Sequence, residues 1–139
     1  MAHTSVVIEE HALPDGRRLA HAELNVPATL NSLSLEMIDL LQPALDGWAQ
    51  RVDIAAVLIT GAGDRAFCAG GDIQALYHAM RRNHDAGSVV DRYPFEFFER
   101  EYRLDHTLHT FPKPVVVIGH GVVMGGGLGI LRAASHRVL

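Results

Sequence analysis

Two apolar, β-branched runs that each end in a cluster of glycines constrain this chain more than any other feature. "DIAAVLIT", Asp53 to Thr60, leads into "GAGDRAFCAGGDI", and "PVVVI", Pro114 to Ile118, leads into "GHGVVMGGGLGI". Stiff β-branched side chains pack well on a pleated surface, and a short continuous apolar run reads as a strand buried on both faces. Glycines at a strand end let a ligand approach the main chain and leave N–H groups free to point at it. In an open α/β sheet, ligands sit beyond the carboxyl ends of the strands, where loops enter helices. Both clusters occupy that position. The spacing therefore predicts an α/β fold with parallel strands, and a ligand site between two glycine loops.

Size and charge narrow the ligand. The chain has 139 residues, 48% of them hydrophobic, enough for one core and one domain. A formal charge of −4 gives no basic excess, so no nucleic-acid partner is expected. Eleven of the twelve basic residues are arginine and the only lysine, Lys113, lies between two prolines, which argues against a Schiff-base mechanism. The single cysteine, Cys68, excludes an internal disulfide and fits a reducing compartment; with no targeting pattern in "MAHTSVVIEE", a cytoplasmic location is expected. No apolar run reaches the ~20 residues of a membrane span, so no membrane partner is expected either.

The remaining segments give a coarse layout. "TSVVIEEHALPDGRRLAHAEL" reads as a hairpin turning at Pro14 to Gly16. Ser34 can cap a helix whose apolar face is Met37, Leu41, Leu45 and Trp48; Pro43 inside it predicts a kink or a break into two pieces. Asp72 is placed to cap a helix over "DIQALYHAMRR". The polar stretch from Arg81 to Arg92 is expected to be a long mobile loop. From Pro94 to Phe111 a helical seam of Phe97, Leu104, Leu108 and Phe111 includes Glu101 at its remaining position, either as a seam edge that snorkels or pairs with Arg103 or a neighbouring chain, or as a group with a task.

Other chemistries are weaker. "GAGDRA" matches the dinucleotide fingerprint G-x-G-x-x-A, but the polar breaks that follow it leave no helix starting in those glycines. His106 and His109 have helical spacing without a third ligand, so no metal site is expected and the nine histidines read as surface or packing residues. His120 is read as a core histidine or one that orients part of the site. Cys68 lacks a histidine partner motif and reads as small-residue packing rather than a nucleophile.

Taken together, "GAGDRAFCAGGDI" and "HGVVMGGGLG" resemble the two signature loops of the crotonase, or enoyl-CoA hydratase/isomerase, superfamily. The stretch "FFEREYRLDHTLHTFPKPVVV", followed by "MGGGLG" and "SHRV", is similar to its thioesterase branch, the 3-hydroxyisobutyryl-CoA hydrolases. The resemblance covers the whole chain and implies the N-terminal part of a single crotonase-like domain, residues 1–139, with the downstream part absent. It implies an acyl-CoA substrate, with coenzyme A as part of the substrate and no separate cofactor. It also implies a possible homo-oligomer, or association with the downstream part.

Residue by residue, the resemblance assigns the thioester oxygen to the N–H groups of Gly71 and Gly126, with Gly125 beside them. It places Ala66, Cys68 and Ala69 along the coenzyme A through main-chain atoms, and Glu101 at the substrate. Hydratases carry a catalytic glutamate where this chain has Gly129, so hydration by that group is disfavoured. The hydrolase branch places a glutamate and an aspartate further along than "SHRVL". A basic residue often follows the proline of "NVP"; here that position is Ala28, which leaves Arg65 as a candidate for the phosphates. Hydrolysis of a short hydroxyacyl-CoA is the leading expectation, against another crotonase reaction or a non-catalytic binder of coenzyme A esters.

Overall fold

The computed structural model describes residues 3–139. In chain order its elements are β1 (Val6–Ala12), β2 (Arg18–Leu24), α1 (Leu35–Gln50), β3 (Ile54–Gly61), β4 (Ala66–Cys68), α2 (Ile73–Ala86), α3 (Tyr93–His109), β5 (Val115–Ile118), β6 (Val122–Val123), α4 (Gly125–Ala133) and β7 (His136–Val138), with a 3-10 turn at Pro27–Thr29. The main sheet runs β1, β2, β3, β5, β7. Only the β1–β2 hairpin is antiparallel; every later pairing in that sheet is parallel, as crossover helices require. A short second sheet pairs β4 with β6, the two segments just after the glycine-bearing strand ends.

Alternation sets the core. Ala20, Ala22 and Leu24 of β2, Val57 and Ile59 of β3, and Val115 and Val117 of β5 are fully buried, and they join Met37, Ile38, Leu41, Leu45 and Trp48 of α1 in one cluster. The Ser34 hydroxyl accepts from the Met37 N–H at 3.2 Å, as the sequence led us to expect of a cap. Asp72 likewise accepts from the Ala75 N–H at 3.1 Å.

Two expectations fail here. First, of the kink or break expected at Pro43 the break does not occur: α1 is one continuous helix. Pro43 and Asp39, the residue whose carbonyl it leaves without a donor, both lie on the exposed side of the helix, which is open to water, while buried residues on either side hold the helix down. Second, Arg81 to Arg92 is not a long mobile loop: α2 continues to Ala86 and ends on Gly87, at φ +66°. Arg81 pairs with Asp85 one turn on, and Asn83 receives the Val90 and Asp91 N–H groups while donating to the Asp91 carbonyl. Polarity along this stretch reflects a solvated helix face and a pinned connection.

Candidate active site

The first glycine loop is held from below by Leu33. Its N–H donates to the Gly70 carbonyl at 2.7 Å and its carbonyl accepts from the Asp72 N–H at 2.9 Å. These two bonds make a parallel bridge between Leu33 and Gly71, and in such a bridge the middle residue's own N–H points away from its partner. Among the described residues nothing accepts from the Gly71 N–H.

The second loop starts α4. Met124 precedes the helix in extended conformation and offers no side-chain cap. The Gly127 and Leu128 N–H groups turn back to the Met124 carbonyl, at 2.9 and 3.3 Å, whereas those of Gly125 and Gly126 have no acceptor among the described residues. They are the unsatisfied donors of a helix N-terminus, and the helix adds partial positive charge there.

The two loops touch. A Cβ built on Gly125 would stand 3.5 Å from the Gly70 α-carbon. Both loops also rest on α3, which presents one residue per turn to them. A Cβ on Gly71 would meet Phe97 Cζ at 3.1 Å, one on Gly126 would meet Glu101 Oε1 at 2.5 Å, and one on Gly129 would meet Asp105 Oδ2 at 3.0 Å. Bare glycine is therefore what lets α3 bring a phenyl ring and two carboxyl groups up against the loop backbones.

Glu101 is 7% exposed and, among the described residues, has neither an ion-pair nor a hydrogen-bond partner. Arg103 does not neutralise it, because Arg103 bonds Glu99 at 3.2 Å. Burial raises its pKa, and the nearby Asp105 charge adds to the rise. Asp105 was not singled out from the sequence. Burial lifts its pKa to about 6, and its Oδ1 is buried with no partner. Asp105 lines a cavity of about 430 Å³ with His106, His109, Gly129 and Arg132. The available signal was its position four residues beyond Glu101 on the same helical face.

The residues implied for coenzyme A lie at the floor of the first loop. Ala66 and Cys68 are buried, and part of their main chain is already engaged. The Ala66 carbonyl accepts from the Asn31 amide at 3.0 Å, the Cys68 carbonyl accepts from the Met124 N–H at 3.1 Å, and the Ala69 N–H donates to the Leu30 carbonyl at 3.0 Å. Burial pushes the Cys68 thiol up, against any role as a nucleophile. Arg65 is exposed, has no ion pair among the described residues, and flanks a small cleft with Pro27 and Ala66. His120 Nε2 donates to the Gly63 carbonyl at 2.9 Å and so braces the loop. The dinucleotide match fails because strand β4, not a helix, follows "GAGDR".

Asn31 was missed as well. It is fully buried at φ +52°, accepts from the Val26 N–H and donates to the Ala62 and Ala66 carbonyls, tying the chain before α1 to the first glycine loop.

Known proteins resemble this chain along most of its length. The family model for enoyl-CoA hydratase/isomerase matches residues 19–139. The chain is 40% identical to the mitochondrial 3-hydroxyisobutyryl-CoA hydrolase of Gallus gallus over 115 residues, covering 83% of this chain and 28% of that protein. It is 39% identical to small ribosomal subunit protein mS47 of Neurospora crassa, covering 86% of this chain and 23% of that one. A crystal structure of a carnitinyl-CoA dehydratase from Mycobacterium thermoresistibile superposes with a TM-score of 0.83 at 33% identity, over 97% of this chain and 36% of that one. The chain thus spans less than a third of the curated relatives and about a third of that solved chain. The expected cytoplasmic location is overturned, since the hydrolase it matches is named as mitochondrial. A lone buried thiol is compatible with any reducing compartment and never discriminated between them. With a matched model over most of its length and the fold to go with it, the chain belongs to the enoyl-CoA hydratase/isomerase, or crotonase, family.

Proposed function

We propose that this chain forms the thioester-binding, oxyanion-stabilising part of a hydrolase acting on 3-hydroxyisobutyryl-CoA or a similar short hydroxyacyl-CoA, as the N-terminal part of a single crotonase-like domain. The observation that carries the reading is the pair of backbone N–H groups, of Gly71 and Gly126, left without acceptors on two loops that touch. Attack on a thioester carbonyl builds negative charge on its oxygen. Fixed amide donors aimed there stabilise the transition state more than the ground state, each worth about 3 to 4 kcal/mol when removed from comparable sites. The positive end of α4 works in the same direction.

In this reading water adds to the carbonyl carbon, the oxyanion rests on the two amides, and the carbon–sulfur bond breaks to release the thiol of coenzyme A. Glu101, beside Gly126 and with its pKa raised by burial, donates to the hydroxyl of the acyl chain or accepts from it. The main chain around Ala66, Cys68 and Ala69, with Arg65, takes the coenzyme. Gly129 has no proton to give, which speaks against hydration by a side chain at that position. A carboxylate from the remainder of the domain activates the water. A second reading, a binder of coenzyme A esters or of a protein partner without turnover, is favoured by the similarity to a ribosomal protein.

Thiol release is the deciding measurement. The full-length protein is mixed with 3-hydroxyisobutyryl-CoA and free thiol is followed with a chromogenic disulfide, while enoyl-CoA is supplied in parallel. Thiol release supports the hydrolase; loss of enoyl absorbance without thiol release makes it a hydratase instead. Saturable binding with neither reaction leaves the non-catalytic reading.

A further inference from the structure

A second cluster lies on the β1–β2 hairpin. β1 and β2 are antiparallel, and Glu9 is the register partner of His21. His11 follows Glu9 by two residues, so the alternation of strand side chains puts it on the same face. One carboxylate and two imidazoles from adjacent strands therefore project together. His11 Nε2 stands 3.4 Å from His21 Nδ1 and 3.6 Å from Glu9 Oε2, and the three ligand atoms all lie within 4.8 Å of one another.

Those separations have a meaning. Two nitrogens bound at roughly 2.05 Å to one tetrahedral ion sit about 3.3 to 3.4 Å apart. A direct hydrogen bond between two rings is usually shorter, about 2.9 to 3.0 Å. The far side of His21 is also fixed: its Nε2 bonds Thr60 Oγ1 at 2.8 Å, on the neighbouring strand β3. When that nitrogen donates to the hydroxyl, Nδ1 is left with its lone pair directed at His11 and Glu9, the outer contact by which ligating histidines are oriented. Glu9 and His11 are exposed, and a cleft of about 150 Å³ between Val7, Glu9, His21 and Glu23 gives access. Glu23, two residues past His21 on the same face, adds negative charge to the rim.

We infer that Glu9, His11 and His21 form a binding site for a borderline divalent transition-metal ion, zinc in the first place, with three protein ligands and solvent in the fourth position. Two imidazoles among three donors select zinc, cobalt, nickel or copper over calcium and magnesium, which take oxygen ligands. The helical spacing sought among the histidines in the sequence could not reveal this site, because two strands in register build it. Through Thr60 the ion would tie the hairpin edge of the sheet to β3. The site is independent of the thioester reading, so either can fail without the other.

The test is titration of the purified, metal-free protein with cobalt(II), read by visible absorption, followed by displacement with zinc in a calorimeter. One equivalent should give the intense bands of a tetrahedral cobalt centre, and zinc should abolish them. His11→Ala, an exposed position with little bearing on folding, should weaken zinc binding at least tenfold, as should His21→Ala and Glu9→Gln. Thr60→Val should weaken it by roughly tenfold or more through loss of the outer contact. His78→Ala on α2 should leave the titration unchanged. Absence of saturable binding overturns the site, and so does binding that survives His11→Ala intact, because the metal is then held by other histidines.

Discussion

The carboxyl group of Glu101 and the α-carbon of Gly126 face each other so closely that a methyl group on the glycine would lie 2.5 Å from Glu101 Oε1. Gly126→Ala therefore forces a buried carboxyl group to swing aside. The expected cost is about 1 to 3 kcal/mol, the usual range for overpacking. Trimming the obstacle should relieve it, so Glu101→Ala combined with Gly126→Ala should destabilise less than the sum of the two single changes. Gly127→Ala should cost more than Gly126→Ala. Its methyl group would meet the Cys68 carbonyl at 2.2 Å, and a backbone atom already bonded to Met124 cannot step aside. Urea midpoints for the three single variants and the Glu101→Ala/Gly126→Ala double check the order.

Glu101→Gln separates stability from binding. The native carboxyl group is desolvated, lies near Asp105, and has no cation beside it, so its charged form is unfavourable in the fold. A neutral amide of nearly the same shape should leave the urea midpoint at pH 7 unchanged or slightly higher. Under the proposed function the same change should weaken binding of a hydroxyacyl-CoA more than that of its deoxy analogue. A drop in the midpoint would show that the carboxylate has a favourable partner in the fold.

What the sequence disclosed and what it withheld divide along a physical line. The hairpin turn at Pro14 to Gly16, the Ser34 and Asp72 caps, the two buried strands and the helix starting in the glycines are local signals, written within a few residues of where they act. Glu101 was visible because a charge interrupts an apolar seam. Asp105, on the same face, was passed over because its significance depends on α4 crossing at Gly129, which no local pattern encodes. Asn31 and the Glu9, His11 and His21 cluster have the same character, built by register and by contacts over tens of residues. At Arg81 to Arg92 the opposite holds: low hydrophobicity suggests mobility, although Arg81–Asp85 and Asn83 make the stretch structure.

Asn31→Ala should be among the costlier single changes outside the hydrophobic core. It leaves the Val26 N–H and the Ala62 and Ala66 carbonyls without their partner in a closed site, at about 1 to 3 kcal/mol for each group that water does not reach. It also removes a residue type that tolerates the left-handed backbone found there, at φ +52°. Asn31→Gly restores the backbone tolerance without the hydrogen bonds. It should therefore recover only a small part of the loss in thermal denaturation, which would place most of the cost in the side chain's contacts.

Asp105 should set the pH dependence of stability just below neutrality. Its folded pKa is about 6 because burial disfavours the charge, against 3.8 for a free aspartate. Between those two values the folded state holds a proton that the unfolded state has released. The contribution is therefore fully present below about pH 4 and is lost as pH rises through 6. Glu10, Asp15, Asp53 and Asp91 work in the opposite sense. Neighbouring arginines, and for Asp91 the Tyr93 N–H ahead of Arg82, hold their pKa values down, so they contribute at higher pH and lose that contribution only as acid protonates them. Stability should consequently peak in mildly acid solution and decline toward pH 7. Glu101, whose pKa burial also raises, acts in the same sense, so Asp105→Asn should flatten part of the decline between pH 4 and 7 while leaving the acid limb in place. Urea midpoints at half-unit pH intervals read both limbs, and a decline as steep in Asp105→Asn as in the native protein would assign it to another group.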